Sequence, residues 1–305
     1  MHKRRSNLGL ICRKRLFLRI RRVNKQQQPI AATYLLLVLY CVIVSLGPLL
    51  FLFTTAVSTA DPLTGEVIRY DLSNFEEVFY DSYYAVQIGY TLGLVAGITV
   101  VTLGLAVPLT LTIARLKNRA RSAWVVMLLA SLALSEVLTA FAWQLLLSQS
   151  SGIPGWLSYS GIISGDKAWW PSFPAMFVVL VYFSLPIAMI LLLPAIRRLD
   201  PSLNESAYTM GFSKTSVFFL VVLPSLRGPI FQTGILTFLL NIGGFVISQQ
   251  LGKPSDWMFA VFIADFMRTF NVPFAVALSF CLLIAVLLCL AVAQLIFGRK
   301  PIEAS

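Results

Sequence analysis

Residues 200–225, DPSLNESAYTMGFSKTSVFFLVVLPS, place a polar segment between two long apolar runs. Small residues occupy positions where a surface loop would normally carry charge, namely Ser206, Ala207 and Gly211. Gly211 suits the end of a helix, because helices commonly close on a residue with positive φ and glycine has no Cβ to oppose it. The stretch therefore predicts a short helix, a tight turn and a second helix that re-enters the apolar part of the protein.

Polar residues on both sides of this turn are suited to begin helices. Asp200 is a suitable N-cap, with Pro201 at the first helical position. Alternatively, Ser202 caps the first helix and Glu205 closes a capping box as Ser-x-x-Glu. Ser213 is placed to cap the second helix, which continues into apolar residues. The loop is thus predicted to be a defined element that docks into a cleft on another protein.

The composition is that of a membrane protein. Hydrophobic residues make up 58% of the 305 positions and charged residues 12%, about half the charge of a typical soluble domain. About 20 apolar helical residues cross a bilayer, and Gly or Pro inside such runs is tolerated there. The sequence predicts an all-α membrane protein. Its six predicted transmembrane helices are residues 31–56, 84–114, 123–147, 173–196, 229–251 and 272–297.

The six predicted spans divide the remaining segments into two sets, one on each side of the membrane. Lys and Arg are concentrated in one of these sets. That set holds 20 of the 24 basic residues and comprises residues 1–30, 115–122, 197–228 and the C-terminus. Because cytoplasmic segments carry the excess of Lys and Arg, both termini and the loop between spans four and five are expected in the cytoplasm. The predicted organisation is a basic cytoplasmic tail (1–30), a transmembrane domain (31–297) and a cytoplasmic C-terminal tail (298–305).

The basic tail, residues 1–30, has two interpretations. It anchors the first span on the cytoplasmic side, or it lies on anionic lipid as a basic amphipathic helix. The short apolar face favours the anchor. A nucleic-acid partner is not expected, because the excess positive charge flanks membrane spans and does not form a basic domain.

Residue types needed for catalysis are scarce. The only histidine is His2, and the four cysteines lack zinc-finger spacing. The sequence contains no GxxxxGK[ST] loop, so the chain does not bind ATP by that route. We therefore expect a transport conduit and not an enzyme, with no catalytic residue, metal or cofactor of its own.

One acidic side chain, Glu136, lies inside a predicted span. A carboxylate in lipid is costly, so Glu136 should face a cavity or a partner. It either lines a path for an amine, with Trp143 stacking on the cation, or bonds to another helix and holds the bundle together. The candidate path residues are Glu136, Thr139, Trp143, Gln144, Asn241 and Ser248. For Asn241 and Ser248, hydrogen bonding between helices is the favoured interpretation.

The loop resembles a motif of the transmembrane subunits of binding-protein-dependent ABC importers. That motif is Glu-Ala-Ala, three residues, Gly, nine residues and Ile-x-Leu-Pro. The matching positions here are Glu205, Ser206, Ala207, Gly211 and, after nine residues, Val221-Val222-Leu223-Pro224. Ser and Val replace the second Ala and the Ile. The similarity extends from about residue 30 to residue 297.

The resemblance implies a function for the loop. In that family it is the coupling helix, which sits in a groove of a cytoplasmic ATPase subunit and passes ATP-driven closure to the spans. An extracytoplasmic binding protein delivers the solute, and two identical or related permeases form the path in the bacterial inner membrane. The coupling residues implied here are Glu205, Ser206, Ala207, Gly211, Leu223 and Pro224. ATP is expected on a separate ATPase dimer.

A narrower resemblance concerns the solute. Residues 245–263 and 140–157 are similar to permeases that carry polyamines and related organic cations. Gly243-Gly244 stand where those permeases often have an acidic residue, and Thr139 where they often have an Arg. Ferric iron, thiamine and phosphonate importers therefore stay open. An ion-coupled secondary transporter is the alternative from another class, but it predicts several intramembrane charges, and only Glu136 is present.

Overall fold

The computed structural model describes residues 37–60, 67–150, 152–161, 169–200, 202, 209–269 and 271–297. Three of the sequence predictions concern residues outside this part of the chain. They are the basic tail, the coupling residues Glu205, Ser206 and Ala207, and the C-terminal tail. The chain divides into two compact units, residues 1–56 and residues 57–305, which are described separately.

The described part of the first unit is one helix, α1, at Leu37–Ala56. This helix has 20 residues, and an 18-residue window within it has a mean hydropathy of 2.4, which is apolar enough to cross a membrane. The hydroxyls of Thr54 and Thr55 donate back to the carbonyl of Phe51. These bonds satisfy polar groups within the helix near its C-terminal end.

The second unit begins with an antiparallel hairpin, in which Ser58 pairs with Tyr70 and Thr59 with Arg69. Helices follow along the rest of the unit. The elements are β1 Ser58–Ala60, β2 Val67–Tyr70, α2 Ser73–Tyr80, α3 Ser82–Arg115, α4 Asn118–Leu132, α5 Glu136–Leu146, α6 Ile153–Tyr159, α7 Phe173–Arg197, α8 Lys214–Ser225, α9 Arg227–Ile242, α10 Phe245–Leu251, α11 Phe259–Arg268 and α12 Val272–Phe297.

The centre of this unit is formed by α3, α7 and α9, which pack against one another. Helix α10 packs on α5 and α7, while α12 packs on α11 and α2. Prolines occur inside α3 and α7, as membrane helices permit when neighbouring helices supply new backbone partners. The long helices thus enclose a common core, and the shorter helices cover its sides.

Buried apolar side chains form two clusters along the bundle. The first lies toward the β1–β2 hairpin and includes Ile98, Met176 and Phe259. The second lies toward the turn at Gly211 and includes Leu192. We call these two regions the hairpin end and the loop end. The helix directions agree with this division, because α3 starts beside the hairpin and α7 finishes beside the loop.

The described residues contain between four and six candidate membrane spans. In the described part of the chain, four helices are long and apolar enough to cross, and there are up to six if each bent pair of helices is one span. The bent pairs are α4 with α5, at 96°, and α8 with α9, at 71°. The six-span topology with cytoplasmic termini stays a prediction.

Two of the predicted spans are not continuous helices. The predicted span 123–147 is broken between α4 and α5, where Ser135 caps the new helix by accepting the amide of Leu138 at 3.2 Å. The predicted span 229–251 is broken at Gly243-Gly244, between α9 and α10. Hydrophobicity alone does not distinguish a broken span from a continuous one, because both parts are apolar.

Candidate functional site

The turn at Gly211 has the backbone predicted from the sequence. Gly211 has a φ of +85°, and among the described residues no atom beyond its two chain neighbours lies within 4 Å of the position that a Cβ would take. A side chain would therefore fit at this position, but the positive φ of the backbone favours glycine. Beyond the turn, Ser213 accepts the amide of Ser216 at 3.2 Å and caps α8, as predicted.

Before the turn, Asp200 and Ser202 are joined by a hydrogen bond. Asp200 Oδ1 accepts the amide of Ser202 at 2.9 Å. The hydrogen bonds from Ser202 hold the pKa of the exposed Asp200 carboxyl below its ordinary value, because they stabilise the charged form. This bond agrees with a cap at Asp200, while Glu205 of the alternative capping box lies outside the described residues.

Helix α8 joins the loop to the bundle. It widens to a π-helical turn at Phe218–Val222, just before Pro224, which has no N–H to donate to the carbonyl four residues earlier. Val222 and Leu226 are buried in the loop-end cluster. Leu223 is partly buried and Pro224 is exposed. A movement of α8 would thus be transmitted to the packed residues of α3 and α7.

Several large apolar side chains of the loop lie on the surface. Met210 is 70% exposed, and Phe212, Phe219 and Leu220 are also exposed. Exposed apolar side chains also line the long helices of this chain, where they suit contact with lipid. Around the turn they are available for contact with lipid or with another protein.

Glu136 lies at the first position of α5, and its carboxylate reaches α10. Its Oε1 accepts the amide of Ile247 at 3.2 Å. The side chain is partly buried, and none of the described Lys or Arg residues forms an ion pair with it. The hydrogen bond to another helix agrees with one of the two interpretations drawn from the sequence.

The other candidates on α5 have different surroundings. Thr139 is buried, and Gln144 Nε2 donates to the carbonyl of Gln250 at 2.7 Å and to its side-chain oxygen at 2.8 Å. The ring of Trp143 meets Tyr182 edge to face, with ring centroids 5.4 Å apart. Sequence reasoning did not select Tyr182, which lies on α7 and becomes a neighbour only through packing.

Asn241 and Ser248 do not share a helix face, because the break at Gly243-Gly244 places them on α9 and α10. Asn241 is 3% exposed and donates to Ser184 Oγ at 2.7 Å. Ser248 is fully buried and accepts the amide of Met258 at 2.9 Å. Both side chains serve contacts between elements, as the favoured interpretation predicted.

Sequence reasoning also missed polar contacts that hold the segment before α11. Gln87 Nε2 donates to the carbonyl of Trp257 at 2.6 Å. Thr91, one turn further along α3, accepts the amide of Phe259 at 2.9 Å. The sequence did contain a signal for these contacts. Gln87 and Thr91 are polar residues four positions apart in an apolar helix, so they lie on one face of it.

The described residues contain no group of three or more His, Cys, Asp and Glu side chains that could hold a metal ion. What the structure does bring together is a turn with positive φ, a cluster that connects it to the bundle, and two broken helices that contact each other. The turn and the breaks are positions at which helices of a membrane protein can change their relative orientation.

The sequence matches the family model described as "Binding-protein-dependent transport system inner membrane component" over residues 106–299. The chain belongs to this family. It is a multi-pass inner-membrane protein and a permease subunit of an ABC importer, so the predicted family and localisation are confirmed.

Named relatives of this permease include two proteins of Escherichia coli (strain K12). It is 26% identical over 262 residues to the inner membrane ABC transporter permease protein YdcU, covering 82% of this chain and 83% of that protein. It is 24% identical over 246 residues to the spermidine/putrescine transport system permease protein PotB, covering 80% and 89%. The resemblance to permeases of the spermidine/putrescine type is thus confirmed.

The permease also shares its fold with solved structures. A bacterial ABC transporter involved in the import of the acidic polysaccharide alginate matches with a TM-score of 0.73 at 19% identity, covering 92% of this chain and 99% of that chain. The alginate transporter in complex with an alginate pentasaccharide-bound periplasmic protein matches with a TM-score of 0.72 at 18% identity, covering 88% and 94%. At these identities the likeness concerns the fold alone.

Proposed function

We propose that this permease imports a polyamine or a similar small organic cation. The observation that carries the proposal is Glu136, a partly buried carboxylate at a helix break with no basic partner among the described residues. Ionisable residues inside membrane spans commonly mark transport paths. Glu136 has no cationic partner within the described chain, and in the proposal an ammonium group of the solute takes that place. PotB, named for spermidine and putrescine, supports this solute class.

Aromatic rings near Glu136 support the same class of solute. Trp143 lies two turns along α5 and meets Tyr182, and a cation over an aromatic face gains about 0.5–2 kcal/mol. The proposed path therefore comprises Glu136, Trp143 and Tyr182, with Thr139 and Gln144 on the same helix. Asn241 and Ser248 hold the helices that border it.

ATP hydrolysis is proposed to occur on a separate cytoplasmic ATPase dimer. The loop that includes Glu205, Ser206, Ala207 and Gly211 docks there, and Leu223 and Pro224 join the docked part to α8. The exposed apolar residues around the turn and the burial of Val222 and Leu226 support this role. The proposal requires six spans with both termini in the cytoplasm, so that the loop lies on the side of the ATPase.

Two further partners complete the proposed importer. A second permease subunit, identical or homologous, forms the other half of the path, and an extracytoplasmic binding protein delivers the solute. The alginate transporter of similar fold is described in complex with a periplasmic protein, which supports the second partner.

The test is uptake of radiolabelled putrescine and spermidine by cells that lack this gene and by cells that re-express it. We expect re-expression to restore uptake and Glu136→Gln to raise the KM for the cation about ten-fold or more, because the variant loses the charge. Glu76→Gln is the control, since it makes the same change at an exposed carboxylate of α2.

Absence of polyamine uptake, with the protein present at wild-type level in the membrane, would contradict the proposed solute. Uptake of labelled ferric iron, thiamine or phosphonate by the same cells would then identify the alternative. Uptake driven by an ion gradient in cells depleted of ATP would instead indicate a secondary transporter.

A further inference from the structure

Two broken helices meet at Glu136. The chain bends between α4 and α5 at residues 133–135, and it breaks again between α9 and α10 at Gly243-Gly244. These two breaks lie more than 100 residues apart in the sequence. In space they lie side by side, because the Glu136 carboxylate is hydrogen-bonded to Ile247, the third residue of α10.

The start of α10 needs an acceptor from elsewhere. The first amides of any helix have no partner inside it, and an unpaired amide is costly away from water. Gly244 precedes α10 and has no side chain with which to cap it. Glu136 supplies the missing acceptor from another helix.

Gly244 is closely packed at the start of α10. A Cβ on Gly244 would lie 3.1 Å from the carbonyl oxygen of Asn241, 3.2 Å from Leu180 Cδ2 and 3.9 Å from Glu136 Oε1. Its neighbour Gly243 has room, because a Cβ there would meet only the carbonyl oxygen of Leu240, at 3.9 Å. The two adjacent glycines therefore differ: a methyl group at Gly244 would press on Asn241 and on Leu180 of α7 and shift the start of α10, whereas one at Gly243 would not.

The other end of α10 is tied to the same helix. Gln144, two turns after Glu136 on α5, donates to the backbone carbonyl of Gln250 and to its side chain. Helix α5 thus supplies an acceptor to the first turn of α10 and a donor to its last turn. With buried residues of both helices between these bonds, α5 and α10 are joined along the whole length of α10.

We propose that Glu136 is a positioning residue that caps α10 and makes α5 and α10 move as one body during transport. The breaks on either side of this pair then act as its hinges. The role rests on the chain being a permease and does not depend on which solute it carries. It requires an acceptor oxygen at residue 136 and does not require a negative charge.

The test is hydrogen exchange, read by mass spectrometry on residues 244–251, in the full transporter purified in lipid nanodiscs. Glu136→Met keeps the length of the side chain and removes the acceptor, so we expect exchange in this segment to rise about ten-fold or more. Glu136→Gln keeps an acceptor oxygen and is expected to restore protection to within about three-fold of wild type. Exchange in α12 serves as the internal reference.

A pair of glycine variants provides a second measurement that leaves Glu136 in place. Gly244→Ala should raise exchange in residues 244–251, because the added methyl displaces the start of α10 from Glu136. Gly243→Ala should leave exchange unchanged. Protection of the segment in both Glu136→Met and Gly244→Ala, or equal exchange in Glu136→Gln and Glu136→Met, would overturn the proposal.

Kinetics separate this role from that of a solute contact. If Glu136 caps α10, Glu136→Met lowers the maximal rate of spermidine uptake and Glu136→Gln restores it. If Glu136 binds the cation, both variants raise the KM. If spermidine is not transported at all, the proposal that the solute is a polyamine is contradicted. The hydrogen-exchange measurement still tests whether Glu136 caps α10.

Discussion

The loop end and the hairpin end of the bundle close their helix termini with different kinds of contact. At the loop end, Ser213 caps α8 through the amide of Ser216, three residues away. At the hairpin end, Thr91 accepts the amide of Phe259, which lies 168 residues further along the chain. The cap at Ser213 is thus a local contact, whereas the bond made by Thr91 joins distant segments of the chain.

This difference has a consequence for movement. A locally capped loop keeps its shape when it is displaced, because its hydrogen bonds travel with it. The hairpin end rearranges only if bonds between separate helices break, such as that between Glu136 and Ile247. The loop end is therefore suited to move as a rigid element that transmits a displacement to the bundle. The hairpin end is suited to switch between two or more discrete packing arrangements of its helices.

The largest expected effect concerns the loop end. Gly211→Val should leave the protein inserted but lower solute uptake more than ten-fold, because a β-branched residue resists a φ of +85°. Gly211→Asn is the matched control, since asparagine adopts this conformation readily, and it should retain most of the uptake. Full uptake by well-expressed Gly211→Val would show that the turn is not needed.

A smaller effect is expected from one long-range bond at the hairpin end. Thr91→Val keeps the shape of the side chain and leaves the buried amide of Phe259 without its acceptor, which should cost about 1–3 kcal/mol of the free energy of unfolding. Thr112→Val on the same helix removes an exposed hydroxyl that bonds to Pro108 and should cost less than about 0.5 kcal/mol. Denaturation in mixed detergent micelles measures both, and equal values would contradict the comparison.

The local cap at the loop end should contribute less than the bond made by Thr91. Ser213→Ala removes the acceptor for the amide of Ser216 and should cost about 1 kcal/mol of helix stability. The same denaturation series measures it. Because the cap is local, hydrogen exchange should increase in residues 213–217 and stay unchanged in α11. Increased exchange in both segments would indicate that the two ends are not independent.

A local contact at the hairpin end should have the smallest effect. Hydrogen bonds from Ser73 and Thr59, with a smaller contribution from Arg69, hold the pKa of Asp71 below its ordinary value. A lowered pKa in the folded protein contributes stability above the unfolded value, near pH 4, and this contribution is lost as the pH falls through the folded pKa.

The difference in thermal midpoint between wild type and Asp71→Asn should therefore be constant from pH 7 to pH 5. It should shrink below about pH 4. A difference that grows on acidification would mean that the carboxylate is not stabilised by these neighbours.

The same contrast explains which features the sequence predicts. The turn at Gly211 and the cap at Ser213 follow from residue type and spacing, because the contacts are local. The cap of Glu136 on α10 and the pairing of Trp143 with Tyr182 depend on packing between distant segments, so no local pattern specifies them. The break at Gly243-Gly244 was missed because both parts of the span are equally apolar.

The most direct test of the proposed contact between the loop and an ATPase is the ATP hydrolysis that co-purifies with the affinity-tagged chain from native membranes. We expect the wild type and Gly211→Asn to retain an ATPase subunit and Gly211→Val, present at the same level, to lose it. Equal ATP hydrolysis with Gly211→Val and with wild type would contradict the claim that the turn at Gly211 forms the contact with the ATPase.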